Sequence, residues 1–323
     1  MKTIDKLAFL PEISGFSHPK IKAIAVLVLG VFTFSCAPVL VKLGESEISP
    51  TAVMFDRFLL ATLIFGLWNI WLKIKDKFGK ARTENPPAYT LRTLGLLLGG
   101  SICFAATQLL WAWSLTQTSI ANSSLLHNFT PLFVTVGGWL LFARHFNRSF
   151  IIGTTVTIIG SLVLGLDDFV YEIDNINGDF IALLSAFFFA IYFLLLEEVR
   201  NFFTLESLIF CYCTIGTIAI APFLAIGQDS LFPSSWQGWL IILGLSCIHL
   251  LFYVTSAYVV QWLSSGLIAL VLLVEPILSA IYAWIIFSEA LDFWNLVAFP
   301  IILFGVYLAT IGELFRQDEI PRA

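Results

Sequence analysis

The residue with the clearest chemical potential is Glu275, whose carboxyl group interrupts a long apolar stretch that begins after Ser264. If that stretch is a helix that crosses a bilayer, Glu275 lies about 16 Å into an apolar core about 30 Å thick. An ionised carboxylate at that depth is costly unless it faces a cavity or a partner, or holds its proton. Glu275 is therefore a candidate for substrate or proton binding. The alternative is a structural role, in which it accepts hydrogen bonds that lock neighbouring helices together.

Further polar and aromatic side chains interrupt apolar segments and are candidates for the same pathway. They are His127, Asn128, Gln108, Trp111, Tyr192, His249 and Tyr253. A histidine inside a membrane can contact a substrate or relay protons, because its ordinary pKa is about 6.5. The alternative for each histidine is a neutral ring hydrogen-bonded to a neighbouring helix. For the amide and the aromatic side chains, the alternative to lining a cavity is plain packing.

Several prolines fall inside apolar segments. Pro131 and Pro276 each remove a backbone donor, and the carbonyl groups so freed either line a cavity or allow the helix to bend. Because these two prolines occupy matching positions in a sequence repeat described below, they predict paired helix breaks at a shared site. Pro38, Pro222 and Pro300 have no such match and are interpreted as packing kinks.

Asp56 and Arg57 are adjacent charged residues inside another apolar segment. On a helix their side chains diverge by about 100°, so they cannot pair well with each other and each needs another partner. Arg57 can attract an anionic substrate or tie two helices together near the outer side of the membrane. Both residues are predicted to have structural or electrostatic roles.

The composition excludes a water-soluble protein. Of the 323 residues 59% are hydrophobic and only 12% are charged, and average soluble proteins carry about twice that charged fraction. The 17 Lys and Arg residues are outnumbered by the 22 Asp and Glu residues and form no basic patch, which excludes a nucleic-acid binder. The chain is predicted to be an all-α integral membrane protein surrounded by lipid.

Ten apolar stretches of about 18 to 24 residues predict ten membrane-spanning helices. They lie near residues 22–43, 50–72, 92–116, 119–142, 149–166, 179–197, 203–226, 236–261, 264–288 and 292–314. All Lys and Arg residues except Lys42 and Arg57 fall in alternate connections and the two tails, which predicts that both termini are cytoplasmic. Gly95 and Gly99 form a G-x-x-x-G pattern that predicts close helix packing within the chain, with a homodimer contact as the alternative.

Neither a metal site nor a cofactor is expected. The five cysteines lie in apolar runs without the spacing of a zinc or redox site, and no phosphate-binding or dinucleotide-binding loop is present in the sequence. The polar residues are scattered singly along the predicted helices rather than clustered at one interface. The sequence therefore does not predict an enzyme.

The chain repeats itself. A shift of 145 residues, without a gap, places Gly99 on Gly244, Pro131 on Pro276 and Trp139 on Trp284, which aligns predicted helices three to five with eight to ten. A shift near 155 aligns the first two helices with the sixth and seventh and places Phe34 on Phe189. Because each copy holds an odd number of helices, the two copies are expected to be inverted in the membrane.

Two segments carry a resemblance to a known family, and each is a proline-centred fourth helix of one copy. They are SLLHNFTPLFVTVGGWLLFAR (124–144) and ALVLLVEPILSAIYAWIIFSEAL (269–291). With FDRFLLA (55–61), whose Arg57 matches an arginine common in the family, they make the chain similar to the drug/metabolite transporter superfamily, specifically the EamA type. In the first copy Arg144 stands where the resemblance implies an acidic residue.

The resemblance implies the following organisation: a cytoplasmic segment 1–21, a first EamA-like repeat 22–166, an acidic external loop 167–178, a second repeat 179–314 and a cytoplasmic tail 315–323. It implies a secondary transporter that exports small metabolites, amino acids or drug-like compounds by alternating access. The sequence shows no transit peptide, which favours the plasma (inner) membrane. Proton coupling through Glu275 is a hypothesis. The alternatives are an uncoupled facilitator or exchanger of the same fold and, in other classes, a membrane-embedded enzyme or a structural membrane protein.

Overall fold

The computed structural model describes residues 19–44, 49–78, 90–118, 120–144, 146–164, 176–227, 232–233, 235–288, 291 and 293–316. Most of the predicted segment 1–21, of the acidic loop 167–178 and of the tail 315–323 lies outside these residues. In chain order the helices are α1 (Pro19–Phe34), α2 (Ala37–Gly44), α3 (Pro50–Phe78), α4 (Leu91–Leu115), α5 (Ile120–His127), α6 (Thr130–Phe142), α7 (Arg148–Leu164), α8 (Ile176–Val199), α9 (Leu205–Gly227), α10 (Trp236–Val259), α11 (Ser265–Val271), α12 (Glu275–Phe287) and α13 (Phe293–Arg316).

These helices form ten spans, which confirms the predicted all-α fold of two five-helix repeats. Within the described residues, nine helical stretches are long and apolar enough to cross a membrane, and α7 is a shorter apolar helix of 17 residues. At 1.5 Å per residue α7 is about 26 Å long, close to the thickness of the hydrocarbon core. Spans 1 to 5 are α1–α2, α3, α4, α5–α6 and α7, and spans 6 to 10 are α8, α9, α10, α11–α12 and α13.

In the described part of the chain, three of the spans are interrupted. Span 4 breaks at Asn128 and Phe129, directly before Pro131, and span 9 passes through a 3₁₀ turn at Leu272–Val274, directly before Pro276. Span 1 breaks at Ser35 and Cys36, and Pro38 follows at the start of α2. Proline is tolerated at the first turn of a helix, where its missing N–H has no partner in any case, so each proline starts a new helix rather than bending an old one.

Backbone details repeat at the same 145-residue shift. Thr90 caps the start of α4 by accepting a hydrogen bond from the Thr93 N–H (3.2 Å), and Ser235 caps the start of α10 by accepting one from the Gly238 N–H (3.0 Å). After α6 and α12, Ala143 and Ser288 both adopt left-handed backbone conformations, with φ of 50° and 55°. Left-handed backbone is unfavourable for residues other than glycine, so its occurrence at two matching positions supports a common origin of the halves.

The contacts between spans have the symmetry of an inverted repeat. Span 1 packs on span 8 and span 3 packs on span 6, and exchange of the two repeats converts the first contact into the second. Spans 2 and 7 pack on each other, as do 4 and 9, and 5 and 10. The hydroxyl oxygens of Thr62 and Thr217, which match at a shift of 155, lie 3.4 Å apart. The pseudo-twofold axis therefore passes between spans 2 and 7, and the repeats interlock instead of forming separate lobes.

Large apolar side chains cover the outside of the bundle. Leu67, Leu141, Phe180 and Ile285 are each more than 60% exposed. In water such a surface would be a large apolar patch, whereas in a bilayer it is the face that contacts lipid. The interior is filled by a cluster that includes Phe58, Phe104 and Phe193, each almost fully buried.

The G-x-x-x-G prediction is wrong at Gly95. A Cβ atom added there would meet no atom of the described residues within 4 Å. The close helix approach lies instead between spans 5 and 10. A Cβ atom at Gly153 would lie 2.6 Å from both the Ala309 nitrogen and the Gly305 oxygen, so only glycine permits this backbone contact.

Replacement of Gly153 by valine is expected to lower the free energy of unfolding by about 1–3 kcal/mol, the usual range for overpacking. The atoms that would clash belong to the backbone of α13 and cannot rotate away. Thermal unfolding of the purified protein in detergent measures the loss. Gly95→Val is the matched control, because it changes helix propensity in the same way without a new contact, and an equal loss in both variants would contradict the close approach of spans 5 and 10.

Candidate functional site

A cavity of about 130 Å³ lies where the broken spans meet, between the two repeats. It is roughly ten times the smallest space that holds one water molecule, which is enough for a small metabolite. Its lining comes from both repeats: Phe34, Ala37, Pro38, Arg57, Thr107, Gln108, Trp111, Ser124, His127, Asn128, Phe189, His249, Phe252, Tyr253, Leu272 and Glu275. Seven of the eight residues predicted for the pathway line this cavity, and the eighth, Tyr192, does not.

The lining follows the internal symmetry. Four pairs of lining residues match under the repeat shifts: Phe34 with Phe189, Thr107 with Phe252, Gln108 with Tyr253, and His127 with Leu272. The cavity therefore reaches the pseudo-twofold axis and extends to one side of it. The chemistry of the two sides differs, because His127 faces a leucine across the axis and Glu275 has a threonine, Thr130, as its counterpart.

The cavity is closer to one end of the bundle than to the other. At what we call the Thr118 end, the Thr118 hydroxyl after α4 donates to the Asp179 carboxylate at the start of α8 (2.7 Å). Trp111 and Ser124 lie within about one helical turn of that end. At the opposite end the nearest lining residues, Tyr253 and Leu272, are six and seven residues, or about 10 Å, from the helix termini Val259 and Ser265. Towards that opposite end every residue of α11 is buried.

Glu275 is the first residue of α12, and its carboxylate is held by a serine one turn further on. The Ser279 Oγ lies 2.7 Å from Glu275 Oε1 and 3.0 Å from the carbonyl oxygen of Ser35, at the break in span 1. A hydroxyl has one proton, so Ser279 donates fully to only one of these acceptors at a time. The carboxyl group is thus connected to the interruption of a second span.

Arg57 is 3% exposed and projects from α3 between the repeats. Its Nη2 donates to Gln108 Oε1 (3.4 Å) and to Tyr253 Oη (3.3 Å), and these two acceptors are symmetry counterparts. Within the described residues no carboxylate pairs with Arg57, and its Nε and Nη1 have no hydrogen-bond acceptor. A buried guanidinium with only neutral partners is costly, so the site favours an anionic group.

Asp56 does not share this environment. It is 5% exposed, does not line the cavity, and in the described part of the chain its carboxylate oxygens accept no hydrogen bond. The sequence predicted that Asp56 and Arg57 each need a different partner; among the described residues Arg57 has Gln108 and Tyr253, whereas Asp56 has none.

The two histidines are held by different helices. His127 Nδ1 lies 2.7 Å from Ser185 Oγ, and its ring stacks on Phe189 with centroids 5.1 Å apart. His249 Nδ1 donates to the carbonyl oxygen of Leu245 (2.8 Å), which leaves its Nε2 as an acceptor in the neutral ring. Each histidine therefore has one nitrogen anchored to the bundle.

Tyr192 lies in a second, much smaller cavity of about 10 Å³. Its lining is Phe104, Tyr192, Leu208, Ile209, Tyr212, Cys213, Tyr253 and Ala257. Tyr253 lines both cavities and separates them. The Tyr212 hydroxyl is buried and has no hydrogen-bond partner among the described residues.

An ionic cluster joins the repeats at the end of the bundle opposite Thr118, which we call the Arg144 cluster (Arg144, Glu197, Glu198 and Ser265). Arg144 Nη1 donates to Glu197 Oε2 (2.6 Å) and to Ser265 Oγ (3.1 Å), and Nη2 lies 3.4 Å from Glu198 Oε1. The Ser265 N–H at the start of α11 donates to the same Glu197 oxygen (2.8 Å). The cluster therefore ties the end of span 4 to the end of span 6 and the start of span 9.

Several lining residues were not predicted as site residues from the sequence. Pro38 was interpreted as a packing kink, yet it follows the break in span 1 and lines the cavity. The sequence identifies Phe34 and Phe189 only as a matching pair of the repeat. That match is the one feature of the sequence that marks them as candidates for the cavity. Across the described residues no group of three or more His, Cys, Asp or Glu side chains is arranged to hold a metal ion.

Two interlocked inverted repeats around an internal cavity, with Arg57 and Glu275 in its lining, are the architecture of a membrane transporter. Two stretches of the chain, residues 21–166 and 176–311, match the model of the EamA-like transporter family. The chain belongs to this family, which is part of the drug/metabolite transporter superfamily.

The chain is similar to two transporters over most of their length. It is 26% identical to an uncharacterized transporter of Archaeoglobus fulgidus, over 89% of this chain and 97% of that one. It is 20% identical to the pseudopaline exporter CntI of Pseudomonas aeruginosa, over 83% and 89% of the two chains. A solved crystal structure with 14% identity covers 91% of this chain and 99% of its own, with a TM-score of 0.73, and so shares the fold.

Proposed function

We propose that the protein is a secondary transporter that exports small metabolites, such as amino acids or drug-like compounds, by alternating access coupled to inward proton flow. The observation that carries the proposal is the cavity on the pseudo-twofold axis, lined by Glu275 and Arg57 and bordered by three broken spans. Broken helices at the interface of inverted repeats are typical of substrate sites in secondary transporters. The export direction is supported by the similarity to the pseudopaline exporter.

The distribution of Lys and Arg supports an orientation with both termini cytoplasmic in the plasma (inner) membrane. In that orientation the Arg144 cluster is at the cytoplasmic end and the cavity lies towards the outside. The conformation described here then corresponds to a state closed on the cytoplasmic side. Alternating access requires a second state in which the Arg144 cluster separates.

Ser279 supports the coupling of Glu275 to helix movement. An ionised Glu275 accepts a hydrogen bond from the Ser279 hydroxyl group. A protonated Glu275 instead donates a hydrogen bond to Ser279 Oγ, and the Ser279 hydroxyl group then donates to the Ser35 carbonyl oxygen. Protonation at the cavity thus strengthens a contact between span 9 and the break in span 1. Such a change gives the two conformations different proton affinities, which coupling requires.

The charges of the cavity favour a substrate that is a zwitterion. Arg57 and Glu275 both line the cavity, and in the described part of the chain neither forms an ion pair. A carboxylate on Arg57 and an ammonium group on Glu275 would neutralise both charges. An ammonium group and a proton would then compete for Glu275, which produces exchange of substrate for protons. Phe34, Trp111 and Phe252 provide apolar contacts for the remainder of the molecule.

Three probes that differ only in charge test the substrate chemistry: L-phenylalanine, 3-phenylpropanoate and 2-phenylethylamine. Binding to the folded state raises the unfolding temperature, so we expect L-phenylalanine to stabilise the detergent-purified protein more than either analogue. Arg57→Gln should remove the preference for the carboxylate, and Asp56→Asn, on the neighbouring residue, should not. Equal or greater stabilisation by an analogue, or none by any probe, would contradict a zwitterion site.

The transport function is tested by flux into proteoliposomes with an imposed pH gradient, with the stabilising probe as the labelled compound. Accumulation that depends on the gradient and on the protein supports a coupled transporter. Protein-dependent exchange that does not respond to the gradient would favour the facilitator or exchanger, in which Glu275 is a structural lock. Absence of protein-dependent flux for a compound that binds would contradict the proposed function.

A further inference from the structure

The small cavity repeats the main cavity on the other side of the pseudo-twofold axis. Under the repeat shifts, residues that line the small cavity match residues that line the main one: Phe104 with His249, Tyr192 with Ala37, Tyr212 with Arg57, and Tyr253 with Gln108. Half of the lining of the small cavity is therefore the symmetry image of main-cavity lining. Two unrelated packing voids would not share this correspondence.

The two cavities lie towards opposite ends of the bundle. In the small cavity Leu208 and Ile209 lie within about one turn of the start of α9, and Ala257 lies two residues before the end of α10. Those helix termini are at the end that holds the Arg144 cluster. The main cavity is closer to the Thr118 end. This is expected for two cavities related by the pseudo-twofold axis, because that axis exchanges the two ends of the bundle.

The two cavities differ in volume, about 130 Å³ against about 10 Å³. In the small cavity aromatic rings occupy the space that is open in the main one. The Phe104 ring contacts Tyr192 and Tyr253, each with centroids 4.8 Å apart, and lies 5.9 Å from Tyr212. The buried Tyr212 hydroxyl has no partner in the described residues, so closure of this cavity leaves a polar group unsatisfied.

We infer that the small cavity is the collapsed cytoplasmic half of the transport path and opens into a second substrate subsite when the main cavity closes. This inference rests on the proposed alternating access. In the second state the Tyr212 hydroxyl contacts the substrate or its water. Because Phe104, Tyr192 and Tyr212 replace His249, Ala37 and Arg57, this subsite is aromatic and lacks the guanidinium that binds the carboxylate. A substrate is therefore held more weakly on the cytoplasmic side of the path.

Cys213 is a native reporter of this opening, because its thiol lines the small cavity and is 1% exposed. The other cysteines, Cys36, Cys103, Cys211 and Cys247, are replaced by serine, and pH-driven flux shows whether the variant still works. A membrane-impermeant methanethiosulfonate is then added to inverted membrane vesicles, which expose the cytoplasmic end. We expect Arg144→Gln to raise the labelling rate of Cys213 about tenfold, since it removes charge-assisted contacts from one of the two states.

In the matched control Cys213 is also replaced by serine and Ala298 by cysteine. Its single cysteine then lies at a fully buried position on α13 that lines neither cavity. Equal labelling at both positions would overturn the inference, because it would indicate general loosening. Labelling of Cys213 only in right-side-out vesicles would overturn it as well. Because labelling does not depend on flux, a negative flux result with selective labelling would count against the transport function and not against the path.

Ala257→Phe provides an independent test, because its ring would fill the small cavity. We expect transport to fall to background while the stabilising probe still raises the unfolding temperature, since the main cavity is unchanged. Retained transport in this variant would exclude the small cavity from the path. If Ala257→Phe loses both transport and stabilisation by the probe, Ala298→Phe shows whether an added ring alone causes misfolding. It adds the same ring at an equally buried position outside the path.

Discussion

Replacement of Glu275 by glutamine is expected to abolish accumulation driven by a pH gradient while substrate exchange between the two sides continues. Glutamine has the same shape and its amide oxygen can still accept the hydrogen bond from Ser279, which lies 2.7 Å from Glu275 Oε1. It cannot take up or release a proton. Exchange moves one substrate molecule for another and needs no net proton transfer, so it continues, although at lower affinity because the ammonium group of the substrate then contacts an amide instead of a carboxylate.

The measurement is uptake of a labelled substrate into proteoliposomes, with and without a pH gradient and with and without unlabelled substrate inside. We expect accumulation by Glu275→Gln to equal that of wild-type protein without a gradient. Asp56→Asn is the matched control, because it makes the same chemical change at a buried carboxylate that does not line the cavity. Gradient-driven accumulation by Glu275→Gln at the wild-type level would make Glu275 a structural lock.

Much of the fold was predictable because its signals are local. An apolar stretch of about 20 residues predicts a span wherever it occurs, and a proline at matching positions of a repeat predicts matching interruptions. Pro131 and Pro276 illustrate this, since each lies at the start of a new helix within its span. The polar interruptions at Gln108, His127 and Glu275 were recognisable because no packing argument requires such side chains inside a membrane.

The contacts between distant helices were not predictable from single segments. The break of span 1 at Ser35 and Cys36 has no counterpart in span 6, where α8 is continuous, so the repeat provided no signal for it. Arg144 and Glu197 are 53 residues apart in sequence. Arg144 was recognised only as a departure from an expected acidic residue, and its ion pairs depend on how spans 4, 6 and 9 meet in three dimensions.

The internal symmetry connects the fold to the proposed mechanism. Two conformations of nearly equal free energy are required for alternating access, and inverted repeats provide them because each half can adopt the shape of the other. The differences between the halves then determine direction and coupling. Here they place Arg57 and Glu275 on the main cavity and aromatic rings on its image, so the two states hold a charged substrate with different affinity, and export requires protons from outside to displace the substrate from Glu275.

The Arg144 cluster is expected to set the balance between these two states. Arg144 and Glu197 are only 16% and 24% exposed, so their contact is more than a screened surface pair. Removal of a charge-assisted hydrogen bond of this kind costs about 1–3 kcal/mol, which corresponds to a shift on the order of 10–100-fold in the population of the closed state. Arg144→Glu should have a larger effect, because it also brings three carboxylates together.

The charge exchange Arg144→Glu with Glu197→Arg tests this balance directly. We expect Arg144→Glu alone to lose pH-driven accumulation and to label rapidly at Cys213 from the cytoplasmic end, because the closed state is no longer favoured. The double variant should recover part of both properties, since a carboxylate and a guanidinium again face each other, although the Ser265 N–H loses its acceptor. A double-mutant cycle on the labelling rate gives the coupling between the two residues. If the two single variants and the double variant are additive, the ion pair does not hold the cytoplasmic end closed, and the packed side chains of that half must provide the barrier instead.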